Sequence, residues 1–263
     1  MLFRSQMVRL LVTSRVYRQD SALVLREGGL SERKERSTAE ADHGNRWLSR
    51  GPRGRMSAEM IRDQALAVSG LLVHRVGGPS VRPLQPSGLW EEVSYNAEDS
   101  YEPDSGAGRW RRSLYTYIKR QSPPPWLLTF DAPTREKCAA RRQATNTPLQ
   151  ALVLLNDETF VAAAKSLADR LMQIPDDDRG RMQFLWQTVL TRDADDDELE
   201  LMLGLLQRQR ERLDRDPRLA SAFLGSGAKS PEDRDESLSQ RCERAAWSFV
   251  AHAMLNQIGR AHV

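Results

Sequence analysis

TPLQALVLLNDETFVAAAKSLADRLM, residues 147–172, decides how this chain folds. Thr147-Pro148-Leu149-Gln150 has the form of a capping box with proline at the first helical position. Thr147 can accept from the free N–H groups of the first turn, and Gln150 can reach back to the Thr147 N–H. Proline costs nothing there, because the N–H it lacks would have had no helical partner. The spacing predicts a short helix ending near Asn156-Asp157, either of which can cap the next one. In that second helix Phe160, Ala164, Leu167 and Leu171 form one apolar stripe.

Working outward, the same logic recurs. Pro175 and Asp176-Asp177-Asp178 precede a helix with Met182, Leu185, Val189 and Leu190 turned inward. Asp193 to Asp197 supply acidic capping for another, whose stripe is Leu199, Met202, Leu206 and Leu213, so the two form a helical hairpin. Beyond a Gly/Ser/Pro-rich stretch at 225–231, Ala246, Phe249, Val250 and Ala253 mark a last helix. Towards the N-terminus, Pro123-Pro124-Pro125 predict extended polyproline II. Residues from Gly77 to about Ser122 read as long irregular connection with a short helix near Trp110 to Arg120. Ser57 as N-cap, Glu59 in the first turn and Ile61, Ala65, Val68 and Leu72 predict a helix over Ala58 to Leu72. The polar stretch 20–44 reads as a loop, and Met7 to Arg18 as a first amphipathic helix. No period-two alternation is sustained and no internal repeat is present. The expected fold is mainly α: an irregular helical domain with long Gly/Pro-rich connections and a C-terminal helical hairpin.

Composition agrees. With 40% hydrophobic and 29% charged residues the chain is globular rather than disordered. Only 6% are aromatic, which favours helix over strand. Residues 1–55 carry 12 Lys/Arg against 6 Asp/Glu, whereas 176–200 carry 9 acids against 3 arginines. The basic end could meet phosphate or simply be solvated, and no nucleic-acid-binding motif accompanies it, so nucleic acid is disfavoured as a partner. Cys138 and Cys242 form neither a CxxC nor a CxxCH, and whether they pair is open. No run approaches the ~20 apolar residues needed to span a membrane. The N-terminal stretch, broken by Arg4, Arg9 and Arg15, is not a signal peptide.

The stretch RRSLYTYIKRQSPPPWLLTFDAPTREKCAARRQATNTPLQALVLLND (111–157) carries a more specific identity. With SAEMIRDQALAVSGLL (57–72) and GGPSVRPLQPSGLWEEVSY (77–95) before it, it resembles a planctomycete domain-of-unknown-function family, the one numbered fifteen fifty-three. Weaker likeness continues through TRDADDDELELMLGLL (191–206) and AAWSFVAHAMLN (245–256), so that it spans about 7–256. Residues 20–44 depart from the family's usual link. The resemblance implies a C-terminal domain of a large exported protein, periplasmic or at the cell surface, with a cytochrome-c-like module and another uncharacterised domain upstream. It implies no activity. On this reading 6–256 is a single α-helical domain, a fragment of a larger family domain. LFRS (2–5) and IGRAHV (258–263) depart from the family pattern, and each can be encoded by a common sequencing-adapter sequence. The expectation is a metagenomic reading frame with non-native ends at 1–5 and 257–263.

Each candidate site residue admits a functional and a bland reading. Asp131, followed by Arg135 and Glu136 at the start of a predicted helix, could bind a sugar or act as acid or base. Equally, it could cap and pair to order the loop after the prolines, which we favour. Arg141 and Arg142, with Asn146 and Thr147 beyond, could present guanidinium groups to a carboxylate or sulfate at a helix N-terminus. Alternatively the arginines pair with internal acids while Thr147 only caps. Tyr115, Tyr117 and Trp126 could stack on a sugar or a partner, but more often such aromatics clamp a loop onto the core. Cys138 would need a nearby histidine to act as a nucleophile. With only His43, His74, His252 and His262 in the chain, a buried, inert thiol on a helix face is expected. The same scarcity and the lack of HExxH argue against a His-built metal site, and Asp193 to Asp197 do not match an EF-hand. No metal or cofactor is expected in this chain; haem would belong to the upstream module.

Three functions follow. The leading one is a non-catalytic helical module contacting upstream domains of its parent protein, or a cell-surface or polysaccharide partner. The others are part of a glycan-processing enzyme with Asp131 on a cleft wall, and an accessory to a c-type haem electron-transfer module.

Overall fold

Among the described residues (2–19, 42, 44–51, 54–95, 98, 100–225 and 237–258) of the computed structural model, the regular secondary structure is helical, with isolated bridges in place of strands. The chain divides into two compact units, residues 1–55 with 261–263, and residues 56–260. The loop read over 20–44 falls, but for Asp42 and Gly44, outside the described residues, as do 226–231, His43 and His262.

In the smaller unit, helix α1 spans Leu2–Val12 rather than Met7 to Arg18. Two hydroxyls explain its end. Thr13 donates to the Arg9 carbonyl at 2.7 Å, and Ser14 donates to that of Leu11 at 2.7 Å while accepting the Tyr17 N–H at 3.2 Å. Side chains that satisfy the backbone locally in this way compete with the helix ladder. Separately, the Asp42 carboxylate gathers the N–H groups of Arg46 and Trp47 at 2.6 and 3.1 Å.

The larger unit begins with α2, Ala58–Ser69, which buries Ala58, Ile61, Ala65 and Leu66. It stops short of Leu72 because Gly70 turns left-handed at φ 81°. There its N–H bonds Ala67 O at 3.1 Å, and the Leu72 N–H bonds Leu66 O at 3.0 Å. Only glycine enters that region without a steric cost. No continuous helix covers Trp110 to Arg120. Asp63 of α2 takes the Ser113 N–H at 2.7 Å, and Val81 exchanges backbone bonds with Tyr115 and Tyr117 at 2.8 Å each. These ties hold the segment as 3-10 turns (Gly106–Trp110, Ser113–Tyr115) and isolated bridges.

Pro124 is extended, as expected, but Pro125 opens a short helix, α3, Pro125–Thr129. Then come α4 (Pro148–Asn156), α5 (Glu158–Met172), α6 (Asp178–Leu190), α7 (Asp196–Arg215), α8 (Arg218–Gly225) and α9 (Leu238–Ile258). The capping box is present: Gln150 Oε1 accepts the Thr147 N–H at 3.1 Å. Asp157 caps α5 through the Thr159 N–H at 2.9 Å, and Asp195 caps α7 in a box with Glu198. Helices α5 and α9 form the centre, where Ala163, Ala164 and Ala168 of one and Ala245, Ala246 and Ala251 of the other are wholly buried. Small side chains let two backbones approach closely, and Phe160, Leu167, Leu171, Trp247, Val250 and Leu255 fill the space around them. The α6–α7 hairpin buries the expected Met182, Leu185, Val189, Leu199, Met202, Leu206 and Leu213, together with Trp186. Arg210 of α7 binds Asp178 of α6 (Nη2–Oδ1 3.0 Å) and Glu243 of α9 (Nε–Oε2 2.9 Å), fastening the hairpin to the last helix.

Candidate functional site

Residues 134–149 are all exposed, and no helix begins between Thr129 and Pro148. The helix expected from Arg135 does not form. Asp131 and Arg135 both sit at positive φ (60° and 64°) on either side of Pro133, and neither conformation propagates a right-handed helix. The segment also offers only alanines and Cys138 as apolar side chains, too little to bury against the core.

What forms instead is a loop closed at its base. The Asp131 carboxylate accepts the Thr145 N–H at 2.7 Å and its hydroxyl at 2.8 Å. Gln150 is the second fastening. Besides accepting from Thr147, it donates through Nε2 to Thr129 O at 2.9 Å and to Thr145 Oγ1 at 3.2 Å. Asp131 therefore clasps the loop rather than capping a helix. Arg142 pairs with Glu59 in the first turn of α2 at 2.7 Å. Burial by itself would raise the Glu59 carboxyl, but the Arg142 hydrogen bond and charge help to hold it below its ordinary value. Arg135, Lys137 and Arg141 are exposed without an ion-pair partner among the described residues, and Asn146 is exposed beside the Thr147 cap. Cys138 is a free, exposed thiol in irregular chain, not a buried one on a helix; Cys242 is free and buried.

The aromatic candidates lie elsewhere. The Tyr115 hydroxyl accepts the Gly77 N–H at 2.8 Å, and the Arg111 guanidinium lies 3.8 Å from its ring centroid. Tyr117 packs on Trp90, ring centroids 5.7 Å apart. Trp126 is 2% exposed, with the Arg62 guanidinium 5.7 Å from its ring. All three anchor chain to core, and none joins the Asp131 loop. Arg62, which the sequence reading passed over, is the hub of this anchoring. It donates to Arg109 O at 2.6 Å, Arg111 O at 3.0 Å and Ser113 Oγ at 3.2 Å. Burial pulls its pKa down to about 10. Its place on the same helical face as Ile61, Ala65 and Leu66 was the available signal.

Helix α4 completes the site. Its inner face is Gln150 and Leu154. There the His252 Nε2–H meets Leu154 O at 2.8 Å and Asn256 donates to Ala151 O at 3.1 Å. Its outer face presents Leu149, Leu152 and Leu155 at 57%, 53% and 42% exposure. At i, i+3 and i+6 these lie on one side of the helix. A helix apolar all round is ordinarily buried all round, and this one is not.

Among the described residues no group of three or more His, Cys, Asp or Glu could hold a metal ion, and no helix is long and apolar enough to cross a membrane. No curated protein and no solved structure matches the chain. A family model, PSD1: Protein of unknown function (DUF1553), matches residues 4–206. The match takes in α1 from Arg4, all of α2 to α6, the clasped loop and about the first half of α7, and stops before the likeness read over 245–256. On that match the chain belongs to the PSD1 (DUF1553) family of proteins of unknown function.

Proposed function

We propose that this domain is a non-catalytic interaction module of a larger exported protein, in which the outer face of α4 docks on another part of the assembly, first of all the upstream domains of its own parent polypeptide. One observation carries the reading: Leu149, Leu152 and Leu155 stand exposed side by side on a helix whose other face is fastened to the core. Burying a leucine side chain is worth about 1.5–3 kcal/mol, so three together are a substantial driving force for association. The commitment of the polar residues supports it too. Asp131 directs its carboxylate to Thr145 and Arg142 is paired with Glu59, so both hold the loop in place.

The planctomycete-type source, the export and the cytochrome-c-like neighbour belong to the same reading, and rest on the sequence resemblance alone. The test is made in the whole parent protein. Leu149→Glu with Leu152→Glu should release this domain from its neighbours, seen as lost interdomain cross-links and faster proteolysis between domains. Unchanged cross-links would sink the proposal. Loss of polysaccharide turnover on Asp131→Asn, with the fold intact, would replace it with the glycan-processing reading.

A further inference from the structure

We infer that the segment covering α4 is an amphipathic helix with acidic flanks, contributed by the neighbouring domain of the parent polypeptide on which α4 docks. The inference rests on the docking role proposed for α4 and adds the chemistry of what docks there.

The apolar part is a short stripe. Three leucines at i, i+3 and i+6 extend about 9 Å along the helix axis, the footprint of one or two turns of a facing helix. Leu128 of α3, which precedes the Thr129 whose carbonyl Gln150 holds, is also exposed. The charged part is the clasped loop that feeds α4. Residues 134–146 contain Arg135, Lys137, Arg141 and Arg142 against one acid, Glu136. Arg142 is neutralised by Glu59; Arg135, Lys137 and Arg141 are exposed and have no ion-pair partner among the described residues. Helix α4 itself carries no charged side chain. The N-terminal end of a helix adds partial positive charge of the same sign. An incoming segment therefore meets leucines beside a positive rim, and acidic residues flanking its own apolar face complement both. An anionic lipid surface would share the charge but fits less well. The patch is one two-turn helix with no Trp, Phe or Tyr on its outer face, whereas interfacial helices typically present such residues along a longer apolar face.

The experiment uses the full chain and four probes. These are a synthetic helical peptide with leucines at i, i+3, i+4 and i+7 and glutamates elsewhere; its counterpart with lysines for glutamates; the glutamate peptide with leucines replaced by serine; and vesicles of phosphatidylglycerol with phosphatidylcholine. Binding is read by fluorescence anisotropy, with circular dichroism to verify the fold of each variant. The Leu/Glu peptide should bind about tenfold or more tighter than the Leu/Lys and Ser/Glu peptides, and weaken as salt rises. Leu152→Asp should weaken it about tenfold or more, and Arg135→Glu with Arg141→Glu should weaken it with the fold unchanged. Equal binding of the Leu/Lys peptide, or indifference to the arginine substitutions, overturns the acidic partner while leaving α4 docking in place. Vesicle binding without peptide binding overturns it in favour of lipid. Peptide binding indifferent to Leu152→Asp, or no peptide binding at all, overturns the inference, and the cross-linking of the parent protein then judges the docking role on its own.

Discussion

The Asp131 carboxylate reaches across fourteen residues of chain to hold Thr145 by both its N–H and its hydroxyl. Asp131 does so from a left-handed backbone, φ 60°, that aspartate and asparagine tolerate better than most side chains. Asp131→Ala should therefore lose twice, in hydrogen bonding and in backbone strain, at a combined cost of about 2–3 kcal/mol. Asp131→Asn, which keeps the left-handed tolerance and one acceptor, should cost about half as much. Urea unfolding midpoints measure both. Coincident midpoints for Asp131→Ala and the parent sequence would show that the clasp stabilises nothing.

Arg62 puts a guanidinium inside the core, where its two terminal nitrogens bond two carbonyls and a hydroxyl. Arg62→Met keeps much of the volume but strands the carbonyls of Arg109 and Arg111. The expected loss is about 3 kcal/mol or more, because each buried unsatisfied acceptor retains its desolvation penalty. Arg62→Lys should recover little of this, since an ammonium lacks the planar fork that serves several acceptors at once. Calorimetry decides; a lysine variant that melts with the parent sequence would refute the hub.

His252 makes stability depend on pH. Burial pushes its pKa below 6.5, and nearby Lys165 adds to this, although the Leu154 carbonyl opposes it. The folded-state pKa is thus lower than the unfolded one, so the unfolded chain binds more protons in between. Stability from this group is complete above about pH 6.5 and declines as pH falls from there towards the folded-state pKa. The difference in melting temperature between the parent sequence and His252→Gln should shrink as pH is lowered through that window. A difference constant from pH 8 to pH 5 would exclude His252 as the source.

Leu152 and Leu154 are two residues apart on α4 and should behave oppositely. Leu154 is 1% exposed, and Leu154→Ala should cost about 2–5 kcal/mol through lost burial and a residual cavity. Leu152→Ala should stay within about 0.5 kcal/mol of the parent sequence. Equilibrium denaturation of the pair separates a structural leucine from one held in reserve for a partner. Equal losses would mean that α4 is oriented differently from the arrangement described here.

Capping signals and apolar stripes made most of the helices legible. Thr147 with Gln150, Asp157 with Phe160 to Leu171, and Asp195 with Leu199 to Leu213 each state locally where a helix begins and which side it buries. Helix α8 has no capping acid in its first turn and went unread, and α3 was hidden because prolines announce extended chain as readily as a first helical position. The region between α2 and α3 was illegible for a different reason. Its conformation is set by Arg62, Asp63 and Arg111 acting over tens of residues, and no local pattern encodes such bonds. At the site, Arg142 pairs with an internal acid, Glu59, whereas Asp131, expected to cap a helix and form an ion pair, instead orders the loop by accepting from Thr145. The expectation for Cys138 failed because the helix assumed to bury it is absent. The leucines of α4 were visible as apolar residues, but which of them faced outward depended on where α9 lies.

Gln150 is one half of a capping box, yet its side chain joins three places: the start of α4, the end of α3 and the closing point of the loop. Uncapping the helix, detaching it from α3 and opening the loop are consequently a single event. Amides from Phe130 to Gln150 should exchange with solvent as one cooperative unit with a shared opening free energy. A partner that grips the leucines on the far side of α4 would then slow exchange in a loop it never touches.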